Sequence, residues 1–300
     1  MASAGRAGTH MTSISLAPGS ARDWRTLVPV VLGAIAFLVL YWAPLATLLS
    51  DWWSNPEAGH GLLLGPLALY LAWRRGLSPH ARPQRIAGIA LLLGAVLMRY
   101  GAGLAAELLT MRLSLVAAIV ALVVHRWGLR QVTHWWLPLG LVLLSIPLPV
   151  VVLGSLALPL QLEASKWGAA MLESRNVPVL LSGNVIHLPG QSLFVTEACS
   201  GLRSLTALLG MGLLIGGLWL NTWWGRAIIV GAAIPVAMAV NGVRIFLTGF
   251  LVFFVDPTLG AGVMHYTEGW ALFIAALAIL GGFAFVAIRL ERLRWWKRGS

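Results

Sequence analysis

The chain is 300 residues long, 59% hydrophobic and only 10% charged, whereas a soluble domain carries about 25% charged residues. That balance excludes a water-soluble enzyme and a disordered chain, and the single cysteine, Cys199, excludes an intramolecular disulfide or a cysteine-built zinc site. The net charge of +11 does not point to nucleic acid in such a chain; it points to basic loops beside anionic lipid.

Residues 1–25 are Ala, Gly, Ser and Thr with scattered Arg, and read as a disordered cytoplasmic tail. Residues 26–290 read as one integral-membrane domain, and 291–300 as a basic cytoplasmic tail. A helix needs about 20 apolar residues to cross a bilayer. On that scale hydropathy predicts eight spans, roughly 27–49, 60–73, 86–106, 108–124, 135–154, 200–220, 226–244 and 267–288. The fold class expected is therefore all-α, a polytopic transmembrane bundle of about eight helices. Between the fifth and sixth spans lies a non-membrane insert, about 155–199. Its first part sets Leu156, Leu160, Ala164, Trp167 and Met171 on one helical face, which predicts an interfacial helix. Its second part alternates and carries turn residues at Ser182-Gly183-Asn184 and Pro189-Gly190-Gln191, which predicts two or three short strands in a small hairpin. Residues 245–255 are apolar but too short to cross alone, and Asp256-Pro257 follows, so a fold-back or re-entrant segment is expected there.

Basic residues set the orientation. Arg6, Arg22, Arg25, Arg74, Arg75, Arg82, Arg85, Arg126, Arg130, Arg226, Arg289, Arg292, Arg294, Lys297 and Arg298 fall on one side, 15 of the 21. The positive-inside rule makes that side cytoplasmic and places both termini there.

Ionisable groups within or beside the hydrocarbon are costly and default to functional candidates. They are Arg112, Cys199, Arg203, Arg244, His265 and Glu268, with Glu197 at the edge. On this topology Cys199, Arg244 and His265 all fall at the outer ends of their helices. A thiol near a helix N-terminus or a cation has a lowered pKa and can attack a carbonyl. A histidine can serve as base and then acid, and an arginine can hold a developing oxyanion. Each residue also has an ordinary explanation: packing for the thiol, interfacial hydrogen bonding for the imidazole, snorkelling for the guanidinium.

The stretch Glu197-Ala198-Cys199-Ser200-Gly201-Leu202-Arg203 resembles the signature of the exosortase family, membrane-embedded cysteine transpeptidases. So do Asn241-Gly242-Val243-Arg244-Ile245 and His265 with Gly269. Earlier segments also fit: Asn55 to Gly61 with Trp73-Arg74-Arg75, Pro159-Leu160-Gln161, and Gly183-Asn184-Val185-Ile186 with Leu188-Pro189-Gly190. The resemblance runs from about residue 25 to 290. It implies Cys199, Arg244 and His265 as the catalytic set. Glu197, Ser200, Arg203, Asn241, Glu268 and His60 stand as supporting or substrate-binding candidates. Arg203 can depress the Cys199 pKa or pair with Glu197 or Glu268; Asn241 can position Arg244; His187, in the hairpin pattern, reads as a surface residue.

The implied partners are exported proteins carrying a C-terminal sorting signal: a short motif of the Pro-Glu-Pro kind, a transmembrane helix and a basic cluster. Membrane lipids surround the enzyme, and a glycan or lipid nucleophile is the expected acyl acceptor; the oligomeric state is not implied. The implied setting is the inner membrane of a Gram-negative bacterium, with the site facing the periplasm. No cofactor is implied: the histidines at 10, 60, 80, 125, 134, 187 and 265 lack the spacing of a helical zinc pair, and no Gly-rich phosphate loop is present. Two other classes share the composition. One is a non-enzymatic subunit or transporter for polysaccharide export, with polar groups lining a path through the membrane. The other is a membrane acyltransferase with a different nucleophile.

Overall fold

A computed structural model describes residues 24–55, 57–195, 202–256 and 263–299, with the side chains of 25, 26, 150, 263–268 and 294–299 outside the description. By packing, the chain divides into residues 1–43 and 44–300. In the first unit the described residues are the opening turns of helix α1 (Trp24–Ser54). The second unit holds the end of α1 and nine further helices, with one small sheet, among the described residues.

Six of the described helices are long and apolar enough to cross a membrane. They are α1, α3 (Arg85–Leu104), α4 (Leu108–Trp127), α8 (Leu202–Trp219), α9 (Trp223–Phe254) and α10 (Val263–Gly299). Their outward faces carry bare Ile86, Leu97, Ile228 and Phe283, the surface that lipid requires. Helix α2 (Gly61–Arg75) and helix α6 (Trp136–Leu144) are too short, at about 22 Å and 13 Å. They pack together through Leu64, Ala68, Leu71, Leu137 and Leu141. Between α4 and α6 lies the one-and-a-half-turn helix α5 (Leu129–His134).

Two expectations are corrected. The span predicted at 135–154 is two helices: α6 ends at Ser145, and Pro147 and Pro149 separate it from α7 (Val150–Glu173). A proline lacks the amide proton a helix needs and disfavours helical backbone in the residue before it. The helix expected to lie at the interface is thus the later part of α7. The second correction concerns residues 245–255, which do not fold back. They extend α9 to 32 residues, about 48 Å. The cause is what covers them. Helix α7 packs alongside α9 in parallel, Gly168 fitting against Ile245 and Leu172 against Gly249. The sheet closes over the same segment, burying Leu172, Val177, Ile186, Leu188, Val195, Ile245 and Val252 in one cluster. Protein covers one face of this part of α9, while Phe254 stays 53% exposed.

That sheet has three antiparallel strands in sequence order, β1 (Leu180–Ser182), β2 (Val185–Leu188) and β3 (Gln191–Phe194), with Ile186 paired to both Leu181 and Leu193. The turns fall where expected, at Gly183 (φ 62°) and Gly190 (φ 84°), both in the left-handed region that glycine adopts freely. His187 pairs with Ser192 across the strands, its Nδ1 2.8 Å from the hydroxyl.

Helices α8, α9 and α10 form the other core, around Leu208, Leu220, Ile229, Ala233, Ala276 and Leu280. Helices α8 and α9 are antiparallel and close. A Cβ on Gly212 would lie 3.3 Å from the Ile229 carbonyl oxygen, and one on Gly216 would lie 3.3 Å from the Arg226 Cα. Small residues permit this approach in a membrane, where association depends on packing rather than on water. Helix α10 runs back along α9, and the Glu291 carboxylate accepts from the amides of Asn221 and Thr222 and from the Thr222 hydroxyl. A carboxylate there satisfies amides that a helix start leaves open. Glu107 caps α4 in the same way, accepting from the amides of Leu109 and Thr110; bonding from Thr110 holds its carboxyl below the usual carboxylate range.

Candidate active site

Arg244 is not at the end of its helix, as the hydropathy pattern implied; α9 continues for ten residues beyond it. Its guanidinium reaches α10: a Cβ built on Gly269 would lie 3.7 Å from Nη2 and 3.8 Å from Cζ. Gly269 is four residues after His265, so the two share one face of α10 on adjacent turns. Asn241 lies one turn before Arg244, buried at 5% exposure. Gly242 beside it packs on Trp167 of α7. The α8–α9 register, with Gly212 beside Ile229 and Gly216 beside Arg226, extends to place Leu202, the first residue of α8, level with Ala239 and Val240. Leu202 of α8, Asn241 to Arg244 of α9, and Gly269 of α10 thus lie toward the same end of their helices, with Arg244 about one turn beyond the level of Leu202. Glu197, Cys199 and Ser200 lie outside the described residues, as do the side chains of His265 and Glu268.

The segment leading to Cys199 is held by residues that motif spacing noted without a role. Val195 donates its amide to the Asn184 carbonyl at 2.9 Å. The Asn184 amide nitrogen returns a bond to the Val195 carbonyl at 3.0 Å and reaches Gln161 Oε1 on α7 at 3.5 Å, a long contact. Gln161 is 5% exposed. Two segments singled out by resemblance, Pro159-Leu160-Gln161 and Gly183-Asn184, therefore converge on the fourth residue before the cysteine.

Among the described residues, Arg203 pairs with Glu57, at 3.3 Å. Both side chains are partly exposed, and such a pair contributes little stability, about 0–1 kcal/mol; what it supplies is position, tying the loop after α1 to the start of α8. His60 sits in that loop. Its Nε2 donates to the Leu144 carbonyl at 3.1 Å, and the Trp52 indole donates to the Ser145 carbonyl at 2.7 Å. Both bonds satisfy carbonyls that the end of α6 leaves open. His60 therefore braces α6.

Arg112 of α4 is 3% exposed and paired to Asp51 of α1 at 2.6 Å. A buried guanidinium without its acid would be strongly unfavourable, so the pair accounts for a charge that hydropathy flagged as functional. Asp51 and Glu57 are not among the candidate site residues; the signal for them in the sequence is an acid at the same end of a neighbouring span. Among the described residues no group of three His, Cys, Asp or Glu is placed to hold a metal ion.

Against known families, residues 52–282 match the model described as transmembrane exosortase (Exosortase_EpsH). Comparison with curated proteins and with solved structures gives no match.

Proposed function

Since the chain belongs to the transmembrane exosortase family, a group of membrane transpeptidase type, we propose that it cleaves exported proteins at a C-terminal sorting signal through a thioester on Cys199 and passes the acyl group to a surface acceptor. The observation that carries this reading is the Arg244 guanidinium lying against Gly269, one turn from His265. It brings together helices that carry two of the three candidate positions.

In the proposed reaction His265 takes the Cys199 proton. The thiolate adds to the scissile carbonyl, and the oxyanion that forms faces the Arg244 guanidinium. The C–N bond then breaks, His265 gives its proton to the leaving amine, and the acyl group remains on sulfur. An acceptor amine or hydroxyl next loses its proton to His265, adds to the thioester carbonyl and expels the thiolate. Water in that place gives hydrolysis. The α8 N-terminus favours the thiolate, as helix N-termini do. Asn241 positions Arg244 from one turn away. Glu197, Ser200 and Glu268 are assigned to substrate contact, and the Glu57–Arg203 pair to holding α8 in place.

The proposed orientation follows the charges. The end bearing Arg74, Arg75, Arg126, Arg130 and Arg226 is cytoplasmic in a bacterial inner membrane, and the Glu57–Arg203 end faces the periplasm. A sorting signal with a transmembrane helix and a basic cluster then crosses the membrane with its basic end on the cytoplasmic side.

Mass spectrometry of a co-expressed substrate with such a signal tests the function. The expected product has a new C-terminus near the motif and an added acceptor mass; an intact substrate would remove the reading. The Asn184 clamp gives a finer test. Asn184→Ala should slow processing about tenfold, the scale of one buried hydrogen bond, with membrane insertion unchanged. Asn184→Asp, similar in size but lacking the amide donor, should be as slow. Wild-type rates in the Asp variant would show that only bulk is needed there.

A further inference from the structure

At the opposite end of the bundle from Arg203 and Arg244, a depression of about 400 Å³ is lined by Ser78, His80, Arg130, Thr133 and His134. Its frame is fixed from beneath. Gln131, fully buried, accepts from the Ser78 amide at 2.8 Å and donates to the Gly76 carbonyl at 3.2 Å. His134 Nε2 donates to the Arg75 carbonyl, and Arg75 in turn donates to the carbonyls of His134 and Gly217. The loop after α2 and the short helix α5 are thereby locked together, and Ser78, His80 and Arg130 are held on one surface.

The electrostatics are one-sided. No Asp or Glu occurs between Glu57 and Glu107, nor between Glu107 and Glu163. Glu107 caps the far end of α4, about 30 Å from Trp127. Arg74, Arg75, Arg82, Arg85, Arg126 and Arg130 therefore face no acid from their own segments. Glu291, an acid that does sit at this end, is bound to the start of α9. The depth is marked by tryptophan. The Trp135 indole donates to the Gly76 carbonyl at 2.9 Å, Trp127 meets Trp135 edge-on at 5.8 Å, and Trp73 is 78% exposed. Tryptophans gather at headgroup level, where phosphate is the abundant anion. With His134 and Thr133 turned to backbone carbonyls, the Arg130 guanidinium, the Ser78 hydroxyl and the His80 imidazole are the groups left to meet a phosphoryl group's acceptor oxygens, and basic pockets at this depth hold anionic headgroups.

We infer that this depression binds the phosphoryl group of an anionic lipid headgroup. The site is independent of the proposed chemistry and lies at the other end of the protein from it.

The test uses the full chain in phosphatidylcholine nanodiscs doped with phosphatidylglycerol, with native mass spectrometry counting the phosphatidylglycerol retained. The wild type should retain one molecule at low doping. Arg130→Gln should weaken retention about tenfold, as expected for loss of one charged hydrogen-bonding partner, and adding His80→Gln should weaken it further. Arg292→Gln removes the same charge from the same end outside the depression and should leave retention unchanged. In undoped nanodiscs, inorganic phosphate that binds as tightly as the lipid, and with the same dependence on Arg130, would assign the site to free phosphate and overturn the lipid assignment. Equal loss in Arg130→Gln and Arg292→Gln, or no loss in either, would overturn the site altogether.

Discussion

Cys199→Ala should leave the protein inserted and folded while processing of a sorting-signal substrate falls below detection. Removing the nucleophile of a comparable hydrolase costs about 10⁶ in kcat, and no second thiol exists to replace it. Cys199→Ser should fail almost as fully, because an alcohol is far less acidic than a thiol and gives little of the attacking anion. The single cysteine makes a second readout clean. Iodoacetamide can alkylate only this thiol, so modification of the wild type and loss of processing should proceed together, and substrate should slow both. Processing that persists after complete alkylation, or in the Ala variant, would transfer the chemistry to another nucleophile and favour the acyltransferase reading.

The second large effect is expected at Arg244. Arg244→Lys keeps the charge but replaces a planar fork by a compact ammonium. Loss of an oxyanion donor costs about 10²–10³ in kcat, and that is the loss expected here, with KM little changed because the interaction belongs to the transition state. A charge needed only for membrane placement would be served equally by lysine. Wild-type kcat in Arg244→Lys would therefore return the residue to a snorkelling role. A raised KM with unchanged kcat would assign it to substrate binding.

Hydropathy located the crossing helices because lipid exposure imposes one requirement, apolarity, over a length set by the bilayer. It misjudged residues 245–254 because their apolar side chains are covered by α7 and the sheet, and a hydrophobic run looks the same whether lipid or protein covers it. The break between α6 and α7 was legible in Pro147 and Pro149, but a window average dilutes two prolines among many leucines and valines. The hairpin was readable from alternation and turn residues, which are local properties.

Pairings between distant segments were not legible. Arg203 finds Glu57, 146 positions away, and Arg112 finds Asp51, 61 positions away; neither follows from the local sequence. Of the candidate site, the convergence of Arg244 on Gly269 depends on the antiparallel packing of α9 and α10. The Val195–Asn184–Gln161 chain depends on where the sheet docks. In each case the motif identified the residues, and the packing assigned them neighbours.

The Asp51–Arg112 pair has a consequence for biogenesis. Asp51, at the end of α1, emerges from the ribosome well before Arg112. An arginine entering the bilayer alone is opposed by about 2.5–3.5 kcal/mol at a helix centre on the insertion scale, and by less near a helix end, where Arg112 stands. With its acid already waiting at that depth, α4 enters as the counterpart of a helix in place rather than as an independent segment. The order of synthesis is thus part of how this chain reaches its topology.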